Sequence, residues 1–206
     1  MIFPIGLTAV LSGASVSQLN RWRRTGLLVP ETRSTRPPLY SFRDVVALRV
    51  VVRLRADTSL QRIRRAFGRL TEYDLTDHVS NYRFAVHGQS IAVWTDDGWL
   101  DLVKNHGQYE LFRMSDIYKP FVTKYGTSVV DFRHPRPHLE VDARKVGGWP
   151  VLANTRIGYD VIATAAAGDA LSARDVSKFY PGSTVEAIRD AIDFDAEVRG
   201  RVRRTA

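Results

Sequence analysis

Ser17, Asn20, Arg21 and Arg24 lie at i, i+3, i+4 and i+7. On an α-helix that spacing gathers them on one face. A hydroxyl, a carboxamide and two guanidiniums in a row are the groups that read base edges and hold phosphates of duplex DNA. Ser17, Gln18, Asn20 and Arg21 are the base-edge candidates, with Ser15 and Arg24 beside them. A basic loop follows and ends R-P-P-L-Y-S-F-R. Arg33, Arg36 and Arg43 are its phosphate candidates, and Tyr40 joins the same surface. No paired carboxylates, nucleophile–base pair, phosphate-cradling loop or metal cluster stands at catalytic spacing, so the expectation is a binding protein and not an enzyme. No cofactor is called for. His134 and His138 are four apart, but Pro135 and Pro137 bar the helix that would bring them together as metal ligands.

The elements that must position these side chains can be read around them. Gly13 can take the left-handed conformation that closes a short first helix. Ser15 and Gln18 have capping-box spacing, so the second helix starts at Ser15. Val16, Leu19 and Trp22 turn inward at steps of three. Gly26 ends the helix, and Pro30 blocks its continuation. Residues 5–43 thus read as a helix-turn-helix followed by a wing. Ser41 and Asp44 start a third helix over 42–56, apolar on so wide an arc that a second contact is expected, either the next domain or another subunit. Thr58 and Gln61 are the expected cap of a fourth helix with the stripe Leu60, Ile63, Phe67 and Leu70. Arg62, Arg64, Arg65 and Arg69 fall off that stripe and are expected to be solvated.

Charge supports this placement. The net charge is +8, yet residues 1–70 hold 13 of the 30 Lys+Arg and only 3 of the 22 Asp+Glu, a balance of +10 against −2 for the rest. A basic balance concentrated on one domain is the electrostatic footprint of a nucleic-acid binder. Cysteine is absent, which excludes disulfides and thiolate metal or redox sensing. No signal-peptide pattern stands at the N-terminus, and the apolar run Val45–Val52 is short and broken by Arg49, so a soluble cytoplasmic protein with no membrane association is expected.

The run I-G-L-T-A-V-L-S-G-A-S-V-S-Q-L-N-R-W-R-R-T-G-L-L-V-P resembles the opening of MerR-type winged-helix regulators. So do the wing R-P-P-L-Y-S-F-R-D-V and the later T-S-L-Q-R-I-R-R. The likeness covers residues 1–70 and departs at the wing, where Pro37-Pro38 stands between Arg36 and Leu39. It implies a DNA-binding homodimer on a two-fold operator, with recognition helices in successive major grooves and wings on the flanking backbone.

Residues 71–80 read as a polar connector. Then the period changes to two: Tyr82–Val86, Ile91–Trp94, Trp99–Val103 and Tyr109–Phe112 form a small antiparallel meander, with turns at His87–Ser90 and at Asp96-Asp97-Gly98. A short helix is expected at 115–123. The sheet reads as a packing or dimerisation platform, with ligand sensing as the alternative. The Pro-rich segment His134–His138 is a stiff linker. Beyond it come a Gly-rich extended stretch and three helices near 159–167, 172–179 and 183–198, with starts at Ser172 and Ser183. Their shape suggests a second helix-turn-helix. The last helix carries Glu186, Asp190, Asp193, Asp195 and Glu197 against Arg189, and phosphates would repel it, so this unit is expected to bind protein. The tail Arg199–Ala206 is expected to be disordered.

L-E-V-D-A, G-W-P-V-L-A-N-T-R-I and the helices to about residue 198 resemble a small domain family commonly encoded beside PIN-like toxin genes. Asn154 replaces that family's Gly and Gly158 its Pro. The resemblance implies a VapB-type antitoxin of a toxin–antitoxin system, partner of a PIN-like ribonuclease toxin. Arg199, Arg201, Arg203 and Arg204 are then the expected toxin contacts, entering a carboxylate-lined site by Arg–carboxylate pairing. The fold expected is α+β: a MerR-like winged helix over 1–70, a connector and antiparallel β region over 71–133, and a three-helix antitoxin-like domain with basic tail over 134–206. The function expected is a DNA-binding antitoxin that represses its own operon and neutralises the toxin. The alternative is an effector-responsive regulator without a toxin partner.

Overall fold

A computed structural model describes residues 1–87, 90–103, 110–111, 117–168 and 171–203. The fold is α+β, with an N-terminal helix-turn-helix, small antiparallel sheets and three C-terminal helices.

The amino-terminal unit begins with strand β1 (Phe3–Pro4), helix α1 (Ile5–Ser12) and helix α2 (Val16–Arg24). Gly13 closes α1 at φ 79°. Ser15 caps α2 with both halves of the capping box present. The C-terminus of α2 is a Schellman turn: Leu27 N–H reaches the Trp22 carbonyl at 3.0 Å and Gly26 N–H the Arg23 carbonyl at 3.3 Å. Val16, Leu19 and Trp22 are buried as their spacing requires. The wing returns through β2 (Leu39–Tyr40), antiparallel to β1. Helix α3 (Phe42–Asp57) follows, capped by Ser41 and Asp44. Helix α4 (Leu60–Leu70) is capped by Ser59, which accepts from Arg62 N–H. The cap expected at Thr58 is therefore one residue too early, because Thr58 closes α3 by donating its N–H to the Leu54 carbonyl.

The wide apolar arc of α3 meets the rest of the same chain. Val45 to Val52 are all buried, and Arg49 among them is 0% exposed. Its guanidinium donates to the carbonyls of Leu11 (2.7 Å), Ile117, Lys119 (2.8 Å), Val130 (2.7 Å) and Tyr118 (3.3 Å). The rings of Phe121 and Phe132 lie 5.2 and 5.5 Å from it. Burial pushes the Arg49 pKa down to about 10, with Asp131 opposing. One side chain thus fastens the helix-turn-helix to the segment after the sheet.

The central sheet comprises β3 (Phe84–His87), β4 (Ser90–Thr95), β5 (Gly98–Asp101) and β6 (Glu110–Leu111) in the order β5-β4-β3-β6. It is not a simple meander, since β6 crosses to the far edge and pairs with β3. Asp96 and Asp97 form the two-residue turn between β4 and β5, and Gly98 follows at φ 111°. The expected turn at 87–90 and strand at 109–112 fall partly outside the described residues. The helix expected at 115–123 holds at 117–118, which are helical, and is corrected beyond them: Phe121–Val122 is strand β7, paired with β8 (Ser128–Val129).

Strands β9 (Leu139–Glu140) and β10 (Val151–Leu152) open the carboxy-terminal unit. Helices α5 (Tyr159–Gly168), α6 (Ala173–Phe179) and α7 (Val185–Arg203) complete it. Ser172 caps α6 as expected. Thr184, not Ser183, accepts from the first turn of α7, while the Ser183 hydroxyl donates to the Tyr180 carbonyl. The tail is also corrected. Arg199, Arg201 and Arg203 lie in the last turns of α7, where i,i+4 pairs Asp195–Arg199 (2.6 Å) and Glu197–Arg201 (2.9 Å) support the helix. Arg204 is outside the described residues.

The carboxy-terminal helices pack against the amino-terminal ones. Helix α7 crosses α1 so closely that a Cβ on Gly6 would sit 2.8 Å from the Val198 carbonyl oxygen. Aromatic contacts continue from Phe132 through Phe42, Phe3, Trp149 and Tyr159 to Phe194, all at centroid distances between 4.9 and 6.2 Å. Gly148, at φ 83°, lies where any Cβ would collide with the Phe42 ring. The described core is one cluster drawing on all three regions.

Candidate nucleic-acid interface

Buried Val16, Leu19 and Trp22 fix the rotation of α2, and its other side faces outward. Ser17, Arg21 and Arg24 are exposed and Asn20 is half-buried. The wing is closed by reciprocal backbone bonds between Arg33 and Leu39, at 3.1 and 2.9 Å. Ser17, Asn20, Arg23 and Arg24 together with Arg36 of the wing line an open notch of about 260 Å³. The sequence pattern did not single out Arg23. It donates from Nη1 to the Ser34 carbonyl at 2.5 Å, pinning the wing beside α2. Its signal was present, since it stands three residues past Asn20.

The expected residues divide by what they already hold. Ser15 is the cap, and the Gln18 Oε1 accepts from Ser15 N–H at 2.8 Å, so that end of Gln18 shapes the helix start. Arg24 Nε donates to the Asn20 carbonyl at 3.4 Å, and Arg33 Nε to the Pro37 carbonyl at 3.0 Å. Arg36 is exposed. Arg43 pairs with Glu31 at 2.8 Å. The Ser41 hydroxyl, then Arg43, holds the Glu31 carboxyl below its usual range against the effect of burial. Tyr40 is corrected: it is 1% exposed, its ring belongs to the core between the wing and α3, and burial pushes its pKa up to about 12. A side chain so placed cannot reach a phosphate without unpacking.

Behind the wing, Glu31, Asp44 and His78 bring one possible ligand atom each within 4.8 Å of one another. These groups are occupied: Asp44 accepts from Ser41 N–H (2.8 Å) and Glu31 N–H (3.2 Å), and Glu31 holds Arg43. Together they brace the wing. Arg64 reaches the Thr25 carbonyl and hydroxyl at the end of α2, and Arg69 donates to the Leu102 carbonyl at 3.1 Å. These two off-stripe arginines of α4 are therefore structural.

The acidic face expected on α7 is much reduced. Asp190 accepts from the backbone and ring of His138, at 2.9 and 2.8 Å. Glu197 is shared by Arg136 (2.6 Å) and Arg201, and Asp195 holds Arg199. Of the five acids, Glu186 and Asp193 remain exposed. The Pro-rich linker is thus clamped to α7. Between α5 and α7 runs a groove of about 500 Å³ floored by Ala163, Ala166, Ala167 and Ile192, with Arg199 and Arg203 at its edge.

Comparison with known proteins finds one family match towards each end of the chain. Residues 3–70 match the MerR HTH family regulatory protein family, and residues 139–194 match the family described as protein of unknown function DUF433. The chain therefore carries a MerR-type helix-turn-helix at its amino-terminal end and a DUF433 segment at its carboxy-terminal end. Among solved structures it resembles the X-ray crystal structure of Rv2018 from Mycobacterium tuberculosis, with a TM-score of 0.52 at 16% identity over 92% of this chain and 96% of that one. At that identity the likeness is one of fold. No curated protein matches the chain. Among the described residues, no helix is long and apolar enough to cross a membrane.

Proposed function

We propose that the protein is an operator-binding transcription regulator that represses its own operon as a homodimer and whose carboxy-terminal unit holds and neutralises a PIN-like ribonuclease toxin, in the manner of a VapB-type antitoxin. The observation that carries the DNA half is the notch in which α2 offers Ser17, Asn20 and Arg24 beside Arg36 of the wing. Among the described residues, no carboxylate lines it. A helix entering a major groove there would bring a guanidinium and a carboxamide to base edges while the wing met the backbone.

The toxin half rests on two supports. The sequence 139–198 resembles domains commonly encoded beside PIN-like toxin genes. The alanine-floored groove between α5 and α7 is edged by Arg203 and by Arg199, the latter paired with Asp195 of the same groove, which suits an apolar segment with a carboxylate at one end. An anisotropy titration with the protein's own promoter DNA tests the first half: submicromolar binding that falls steeply with salt is expected, and binding no tighter than to scrambled DNA would end it. Co-purification with the product of the adjacent gene tests the second. Capture that is lost in Arg199→Ala/Arg203→Ala is expected, and absence of capture would remove the antitoxin role while leaving the regulator intact.

A further inference from the structure

A second polar cavity lies against the other side of the recognition helix. Ser15, Gln18 and Trp22 line it, and at about 100° per residue these positions lie roughly opposite Ser17, Asn20 and Arg24. Its volume is about 180 Å³. The remaining walls come from the end of α3, the loop between β7 and β8, and α7. Among the described residues, Arg55, Lys124 and Arg201 line it together with hydroxyl groups and no carboxylate, Arg201 being paired with Glu197 at 2.9 Å from outside the lining.

Two of these cations crowd one ring. The Arg55 guanidinium lies 5.8 Å from the centroid of Tyr125 and the Lys124 ammonium 5.1 Å. Arg55 Nη2 donates to the Tyr125 hydroxyl at 3.1 Å, but its Nε–H is fully buried and meets no acceptor among the described residues. A buried donor left in that state carries a desolvation penalty that an incoming acceptor removes. Trp22 and Val52 supply an apolar wall.

We infer that this cavity is a binding site for a small phosphorylated metabolite. Its phosphate is held between Arg55 and Lys124, with Arg201, which Glu197 already holds, at the edge, and its short organic body lies on Trp22 and Val52. Phosphate suits the site because a dianion relieves the mutual repulsion of the cations and offers several acceptors at once. The walls join the reading helix to α7, so the bound anion ties the carboxy-terminal unit to the DNA reader. The inference goes beyond the operator-binding reading, and binding itself is measured without DNA.

The test uses the full chain, with glycerol 3-phosphate and inorganic phosphate as probes against sodium chloride at equal ionic strength. Isothermal titration is expected to show one saturable site for at least one probe, and thermal unfolding a rise of a few degrees over chloride. Arg55→Gln and Lys124→Gln should each weaken binding about tenfold or more. Arg24→Gln, in the DNA notch, should not change it. Lys124 is exposed, so its variant keeps the test decisive if Arg55→Gln folds poorly. Absence of saturable binding overturns the inference. So does binding that is lost in Arg24→Gln and kept in Arg55→Gln and Lys124→Gln. If neither probe binds but Lys124→Gln weakens promoter DNA, the phosphate is one of the DNA backbone and the metabolite site is refuted.

Discussion

Both ends of the chain carry clustered arginines, and the two sets are used differently. At the amino-terminal face Arg21, Arg24 and Arg36 are exposed, and no carboxylate among the described residues pairs with them. At the carboxy-terminal end Arg136, Arg199 and Arg201 are matched to Glu197 and Asp195. The cause is local sequence. Helix α2 contains no acid, whereas α7 places an acid four residues before two of its arginines, the separation at which side chains meet. A count of charges therefore describes the potential of the first region well and overstates that of the second. Formal charge becomes available charge only where the neighbouring turn does not neutralise it.

Arg49 breaks the contrast, because it is neither offered nor paired with a carboxylate. It is wholly buried and bound to backbone carbonyls from both sides of the central region. Arg49→Met keeps the stem but strands those carbonyls. We expect a loss of about 3–5 kcal/mol in urea unfolding, the largest effect of any arginine substitution here. A loss below about 1 kcal/mol would show that water replaces the guanidinium and that the residue is no keystone. Gly6→Ala probes the seam between the two ends. Its Cβ would meet the Val198 backbone, which cannot rotate away, so we expect a cost of about 1–3 kcal/mol in the same assay. An unchanged midpoint would mean that α7 rests loosely on α1.

Local signals made the amino-terminal unit legible. Capping boxes at Ser15 and Ser41, Gly13, and the inward triplet Val16, Leu19 and Trp22 are each determined within one or two turns. The outward face followed from them. Tyr40 was misplaced because a wing tyrosine can turn either way, and only the packing between β2 and α3 decides. The ordering of the tail depended on pairs with Asp195 and Glu197 and on contact with α1, which is distant in sequence. The crossover of β6 and the five carbonyl partners of Arg49 are likewise long-range, and no periodicity announces them. The cationic cavity draws on four separate stretches of chain, which is why its residues carry no local motif.

On the offered side of the comparison, Arg21→Ala should weaken promoter binding by about 1–3 kcal/mol, and mainly for the sequence it reads. Equal loss on scrambled DNA would reassign Arg21 to the backbone. On the matched side, Glu197→Gln should act through pH. Burial pushes the Glu197 carboxyl up, but Arg136 and Arg201 outweigh it and hold it below its ordinary value near 4.5. The folded state thus binds this proton less readily than the unfolded state. The stabilisation is present above the unfolded value and fades as pH falls through the folded one. Wild-type stability should therefore drop more steeply than that of Glu197→Gln on acidification from about pH 5 to pH 3. Parallel curves would show that the two arginines do not stabilise the charged form.

The smallest effect is expected at Arg36, and it sharpens the contrast most. The residue stands at the edge of the notch, exposed and without a carboxylate partner among the described residues. If it meets a backbone phosphate, Arg36→Ala should weaken promoter and scrambled DNA alike. The slope of log affinity against log salt should become shallower by about one contact. A guanidinium held by a protein carboxylate would have released no counterion on binding, so its removal could not change that slope. Arg199→Ala supplies this control, since Asp195 already holds its guanidinium at 2.6 Å. A slope altered equally by both substitutions would mean that the far end also lies on DNA, and the division between offered and matched arginines would fail.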